Sequence, residues 1–142
     1  MKVLAILQNQ WFHNPDNVRA ILKRHPEYRP RIIHYALFAG CRTGRILKAA
    51  LRDWCDRIIW EEASPKIGGH ASACFPADVV HLRALLETHK PGVVIALGKI
   101  AADALRPLVV AEQLLIGPHP AARGIDPIPD LLSIRRKLEK WK

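Results

Sequence analysis

A histidine held between two prolines is the residue in this sequence that is best suited to chemistry. His119 lies between Pro118 and Pro120, and the fixed φ angles of the prolines restrict the loop that carries it. A histidine restrained in this way can donate a hydrogen bond to an oxygen that gains negative charge during a reaction. The alternative is a loop histidine without a role in chemistry.

A second polar segment, Gln8-Asn9-Gln10-Trp11, follows an apolar run near the N-terminus. Asn9 cannot act as a strong base, because an amide does not titrate near neutral pH. Trp11 and Phe38 offer flat rings on which a nucleobase could stack, unless they belong to the core. Asn9 also has a simpler interpretation as a turn residue that satisfies backbone groups.

Common phosphate-binding and nucleophile motifs do not match the sequence. Gly98-Lys99 resembles the end of a P-loop, but Val93 stands where the first glycine belongs and Ile100 where a Ser or Thr would hold magnesium. There is no GxGxxG pattern after the first apolar run and no GxSxG pattern. We therefore expect no cofactor.

The three cysteines, Cys41, Cys55 and Cys74, form no CxxC pair. An odd number of dispersed thiols is typical of a reducing compartment, so we expect a cytoplasmic protein. A zinc site would have to recruit His34 or His70, and we expect no metal site. The N-terminal apolar run is too short for a signal peptide, and no run approaches the ~18 apolar residues of a membrane span. We expect no association with membranes.

The chain is strongly basic for its 142 residues. Its 22 Lys and Arg residues against 13 Asp and Glu residues give a net charge of +9. This balance favours a polyanionic partner such as nucleic acid. Lys99, Arg42, Arg45 and Arg123 are solvated charges individually, but together beside the predicted loops they could face phosphates.

These residues must be positioned by the elements that precede them. Five apolar runs are predicted as strands, at residues 3–7, 31–38, 57–60, 93–97 and 114–116. Helical spacing follows each run, in residues 17–25, from an N-cap at Thr43 to Leu51, from Pro76 to Leu86, and in 100–105 and 133–141. The alternation predicts one α/β domain over residues 1–142, with three layers and a mainly parallel sheet of four or five strands. Ligands bind beyond the carboxyl ends of such strands.

Taken in order, these segments resemble the uracil-DNA glycosylase superfamily over residues 3–125. Asn9 falls on the Asp or Asn that orients water just past the first strand of that family, and Gln8 on the residue before it. The dipeptide His119-Pro120 falls on the His-Pro loop after the last strand. The resemblance implies a metal-free hydrolase that breaks the N-glycosidic bond of a flipped base. Asn9 would orient the water, and His119 would stabilise the leaving base.

The resemblance also implies a binding surface for DNA. Trp11 falls on the position that closes the base pocket, and Phe38 falls near the phenylalanine that stacks on the base. Arg123 falls where the family carries its minor-groove wedge. We expect a monomer that contacts single- or double-stranded DNA through Lys99 and Arg123.

The sequence departs from the family at the residue that reads the base. Glu61 stands in place of an asparagine, and a carboxylate only accepts hydrogen bonds, so it would favour an exocyclic amino group or a protonated ring nitrogen. Glu61 could instead pair with an arginine. Gln10 replaces a proline and Ala121 a serine. Two alternatives therefore stand beside the glycosylase: a non-catalytic nucleic-acid- or nucleotide-binding relative, and an enzyme acting on free nucleosides or nucleotides.

Overall fold

The fold is built around a parallel sheet whose strands are almost continuously apolar. A computed structural model describes residues 1–8, 12–70 and 75–141 of the chain. In these ranges the strands are β1 (Val3–Leu7), β2 (Ile59–Glu62), β3 (Val93–Leu97) and β4 (Leu114–Gly117). They pair in the order β2-β1-β3-β4, and all three pairings are parallel. The predicted α/β class is confirmed, with four strands.

Helices cover both faces of the sheet. They are α1 (Pro15–Arg24), α2 (Arg29–Phe38), α3 (Arg42–Leu51), α4 (Val79–His89), α5 (Lys99–Leu105) and α6 (Ile128–Glu139). Short 3-10 helices add Pro26–Tyr28, Arg52–Asp56 and Ala111–Gln113. None of the helices in the described ranges combines the length and the apolar content that crossing a membrane requires.

The side chains of β1 alternate between two cores, as those of a strand must. Val3, Ala5 and Leu7 pack with α2, α3 and α6 on one face. Leu4 and Ile6 pack with α4 and α5 on the other. Because β1 is central and fully buried, its apolar residues occupy every position instead of every second one.

One predicted strand is a helix. Residues 31–38 belong to α2, which begins at Arg29 with Pro30 in its first turn. Ile33 and Leu37, one helical turn apart, are the buried residues of α2. The apolar and β-branched side chains of this run suggested a strand, but their burial follows the helical period.

The other predicted elements are found with shifted ends. Helix α3 is capped by Cys41 instead of Thr43, because the Cys41 Sγ accepts the N–H of Gly44 at 3.4 Å. Helix α6 starts five residues before the predicted residue 133. Strand β2 extends through Glu61 and Glu62, which the sequence had suggested were the start of a loop.

Candidate functional site

The carboxyl ends of β1, β3 and β4 bring three predicted site segments together. The order β2-β1-β3-β4 makes the boundary between β1 and β3 a topological switch point, where connections diverge to opposite faces. We call the region beyond this point, around Gly98, the crevice. Gly98, directly after β3, lies between the segments that follow β1 and β4. A Cβ atom on Gly98 would lie 3.7 Å from the Oε1 of Gln8 and 3.4 Å from the Cβ of His119.

Glycine is favoured at position 98 by the backbone conformation. Its φ of 105° lies in the region that side-chain-bearing residues avoid. Its N–H also donates to the carbonyl oxygen of Gly117 at 2.9 Å, which ties the end of β3 to the end of β4. Gly98 therefore lets the His119 loop approach the end of β3 closely.

The imidazole of His119 is half-buried, and one backbone contact determines its tautomer. The Nδ1 atom accepts the N–H of Ala121 at 3.1 Å. Since Nδ1 is an acceptor, the proton of the neutral ring is on Nε2. Burial lowers the pKa of His119 below its ordinary value, so the ring is neutral at pH 7. His119 thus presents Nε2–H as a neutral hydrogen-bond donor.

Glu61 lies at the carboxyl end of β2 in a buried ion pair with Arg29. The Arg29 Nε donates to the Glu61 Oε1 at 2.9 Å, and the two side chains are 12% and 2% exposed. The other Arg29 nitrogens donate to the carbonyl oxygens of Pro65 at 3.1 Å and Ser64 at 3.0 Å. Burial raises the pKa of Glu61, and the Arg29 guanidinium opposes that rise. The structure therefore contains the ion pair that the sequence left open as an alternative.

Glu62, the next residue, has an unusual environment that the sequence did not suggest. It pairs with Leu7 in the sheet register and is 1% exposed. Neither carboxyl oxygen has a hydrogen-bond partner among the residues that the structure describes. Burial raises the pKa of Glu62 well above its ordinary value, Arg29 opposes the rise, and Glu61 adds to it. The only sequence signal was the pair of acids directly after an apolar run.

Phe38 is remote from the His119 loop. Helix α2 begins beside Ser64 and Pro65, after β2, and passes His34 beside Asp56, before β2. It therefore runs from the carboxyl end of the sheet toward the amino end, and Phe38 is its last residue. The Phe38 ring packs edge-on against Trp60 with 5.7 Å between centroids. Phe38 therefore fits the alternative interpretation, in which its ring packs against the core.

The two predicted DNA-contacting cations lie in the segments beside the crevice. Lys99 is exposed at the first position of α5, directly after Gly98. Arg123 is exposed in the loop after β4. Asn9, Gln10 and Trp11 lie outside the described residues.

A cavity of about 300 Å³ opens between the end of β2 and the start of α4. Ser64, Lys66 and Asp78 are among its lining residues, and Gln8 and His119 are not. Asp78 accepts the N–H of His81 at 3.0 Å and so caps α4. This cavity is separate from the crevice at Gly98.

Two further findings bear on identity. Across residues 1–8, 12–70 and 75–141, no three His, Cys, Asp or Glu side chains are grouped to hold a metal ion. No protein-family model matches the chain, and no curated protein or solved structure matches it either.

Proposed function

We propose that this chain is a DNA-base glycosylase-like hydrolase, which breaks the N-glycosidic bond of a flipped, damaged or modified base. The observation that carries the proposal is the fixed form of His119. Its Nδ1 accepts the Ala121 N–H, so the neutral ring carries its proton on Nε2, the atom that would donate to the leaving base. Such a donor suits an oxygen that becomes negative only as the bond breaks.

In this mechanism the electron pair of the C1′–N bond leaves with the base. Negative charge accumulates on a carbonyl oxygen of the base, and Nε2–H of His119 stabilises it with a hydrogen bond. Asn9, by its resemblance to the family residue, orients the water that attacks C1′. The Asn9 amide cannot take up the proton of that water, so the proton passes to the departing base anion, directly or through solvent, and we expect a slow enzyme.

Three features support the crevice as the site of a polyanionic substrate. It lies at the switch point of the sheet, where α/β folds bind ligands. Lys99 and Arg123 are exposed beside it. The net charge of +9 attracts a phosphate backbone at long range.

The test is an excision assay on labelled oligonucleotides, single-stranded or mismatched, that carry uracil, hypoxanthine, xanthine or a 5-substituted pyrimidine. Abasic products are cleaved with alkali and counted. Loss of one oxyanion donor costs about 10²- to 10³-fold in rate. The excision rate of His119→Ala should therefore be lower than that of the wild type by this factor. His25→Ala, which changes an exposed histidine beyond α1, should retain the wild-type rate. Equal cleavage by both variants would remove His119 from the mechanism.

A second candidate function is binding of a nucleic acid or nucleotide without cleavage. It is favoured by the ion pair that occupies Glu61 and by the remote position of Phe38, since two of the expected base contacts are engaged elsewhere. Salt-sensitive binding of the same oligonucleotides, with no abasic product from any of them, would identify this function.

A further inference from the structure

A second cleft lies at the amino end of the sheet, opposite to the crevice at Gly98. It has a volume of about 420 Å³ and is bounded by the Arg52–Asp56 3-10 helix, Arg57 and the end of α6. Among the described residues, four arginines and two acidic residues line it, so positive charge is in excess there. The arginines are Arg52, Arg57, Arg135 and Arg136.

Two of the guanidinium groups are fixed by the protein. The Arg57 guanidinium lies over the Trp54 ring, 4.1 Å from its centroid, in a cation–π contact. The Arg135 Nη1 donates to the carbonyl oxygen of Ala50 at 3.3 Å, near the end of α3. One of the two acids is also engaged, because the Glu139 Oε1 accepts the indole N–H of Trp54 at 2.9 Å.

The other two guanidinium groups are available. Arg52 and Arg136 are both exposed, and no hydrogen bond or ion pair joins either side chain to another described residue. The fork of N–H donors on each arginine matches two oxygens of a phosphate. The available guanidinium groups of Arg52 and Arg136, beside the two fixed guanidinium groups, can contact adjacent phosphate groups.

Arg52 has a backbone conformation that favours glycine. Its φ is 51° and its ψ is −125°. Lys90 is the one other non-glycine residue in the described ranges with a positive φ. Strained residues of this kind persist where the surrounding structure enforces them, and they cluster at functional sites. An arginine at this position is less stable than a glycine would be, and it lines the cleft.

We propose that the cleft binds adjacent phosphate groups, either of a free oligophosphate or of a nucleic-acid backbone. This site is distinct from the crevice and does not depend on the glycosylase proposal. The cleft volume lies within the range of small-ligand sites. Its four arginines come from two segments that are distant in sequence, residues 52–57 after α3 and residues 135–136 in α6, and these segments meet where α3 packs against α6.

The first experiment compares two charge-neutralising variants with two probes. Tripolyphosphate is titrated by calorimetry, and a labelled dT12 oligonucleotide is titrated by fluorescence anisotropy. Arg136→Gln should weaken binding of at least one probe about tenfold, as expected for a lost charge-assisted hydrogen bond. The control Arg83→Gln removes an exposed arginine of α4, outside the cleft, and should not. Which probe responds identifies the source of the phosphates. Equal effects of the two variants on both probes would overturn the proposal.

The second experiment uses the strain at Arg52. Arg52→Gly and Lys90→Gly each remove one positive charge and relieve a positive φ, so each should raise Tm by about 2–4 °C. Only Arg52→Gly should also weaken phosphate binding about tenfold. A stabilised Arg52→Gly protein that keeps full affinity would contradict the assignment. At saturating oligonucleotide, none of these variants should change the excision rate, which separates failure of this cleft from failure at His119.

Discussion

The Glu62 carboxyl group makes the stability of the fold depend on pH. It is buried without a hydrogen-bond partner in the described part of the chain, and its pKa in the folded state is well above the ordinary value of 4.5. The folded protein therefore holds this proton at pH values where the unfolded chain has released it. The contribution of Glu62 to the free energy of unfolding is fully present below the unfolded pKa. It is lost as the pH rises toward the folded pKa.

We predict that Glu62→Gln removes this loss. Between pH 5 and pH 7, the free energy of unfolding of the wild type should fall relative to the variant by up to about 1.4 kcal/mol per pH unit. Urea unfolding at pH 5, 6 and 7 measures the difference. The lowered pKa values of His81, His89 and His119 act with the opposite sign and cancel in the comparison.

Glu87→Gln is the matched control for this prediction, since Glu87 is an exposed glutamate on α4. Its pH dependence should follow that of the wild type. If Glu62→Gln also follows the wild type, then the Glu62 carboxyl group is ionised in the folded protein.

At the residue scale, the sequence indicated His119 as a candidate site residue, but it did not indicate which ring nitrogen carries the proton. Proline neighbours and a position after the last strand are visible in the sequence. The contact between Nδ1 and the Ala121 N–H depends on how the loop turns. The partner of Glu61 was equally hidden, because Arg29 lies 32 residues away on a helix that was not predicted there.

At the element scale, the crossing of α2 and α3 depends on Gly44. A Cβ atom at this position would overlap the carbonyl oxygen of Leu37 and lie 2.6 Å from its carbonyl carbon. Both atoms belong to the backbone, so a rotamer change cannot relieve the overlap. Only a glycine lets the two helices approach this closely.

We predict that Gly44→Ala lowers the free energy of unfolding by about 3 kcal/mol or more, because the helices must separate. Gly69→Ala is the control, since among the described residues its Cβ would meet only the Pro15 Cγ, at an ordinary 3.5 Å. Thermal unfolding compares the two variants. A Gly44→Ala protein as stable as the control would mean that the crossing adjusts without cost.

The sequence predicted strands and helices correctly where the pattern of apolar residues matched the pattern of burial. In β1 and β3 every residue is buried, so the continuous apolar runs predicted strands correctly. In α2 the run contains both the buried Ile33 and the exposed Tyr35, and intrinsic β-propensity was overridden by tertiary packing. In β2 the strand continues through two acids, which no apolar pattern predicts.

At the scale of the whole molecule, the net charge predicts how DNA binding responds to salt. Each phosphate contact releases counterions, so the logarithm of the association constant should fall linearly with the logarithm of salt concentration, by about 0.7 per contact for single strands. We predict such a line for dT12 binding, measured by anisotropy in 50–200 mM NaCl. The double variant Lys99→Gln, Arg123→Gln should reduce the slope by about 1.4.

A control double variant, Arg83→Gln with Arg106→Gln, removes the same charge from two other exposed arginines. It should leave the slope close to that of the wild type. Binding that does not change with salt would exclude a phosphate backbone as the partner and favour a small ligand.

The α/β class was predictable as a whole because alternating strand and helix patterns permit few layer arrangements. The strand order was not, since any of several orders satisfies the same pattern. That order decides which loops meet, and therefore where the crevice and the arginine cleft form. The cleft in particular joins Arg52 to Arg136, which no local pattern connects.

The same strand order has a consequence for synthesis on the ribosome. β1 pairs on one side with β2 and on the other with β3, but Val93 is translated roughly 2–6 s after Glu62, at ~5–20 residues per second. During this interval the growing chain has one open, apolar edge along β1, a strand that is fully buried in the finished fold. Such an edge is a template for pairing with other nascent chains. A holdase chaperone at the ribosome would therefore act most strongly on this chain between the emergence of β2 and that of β3.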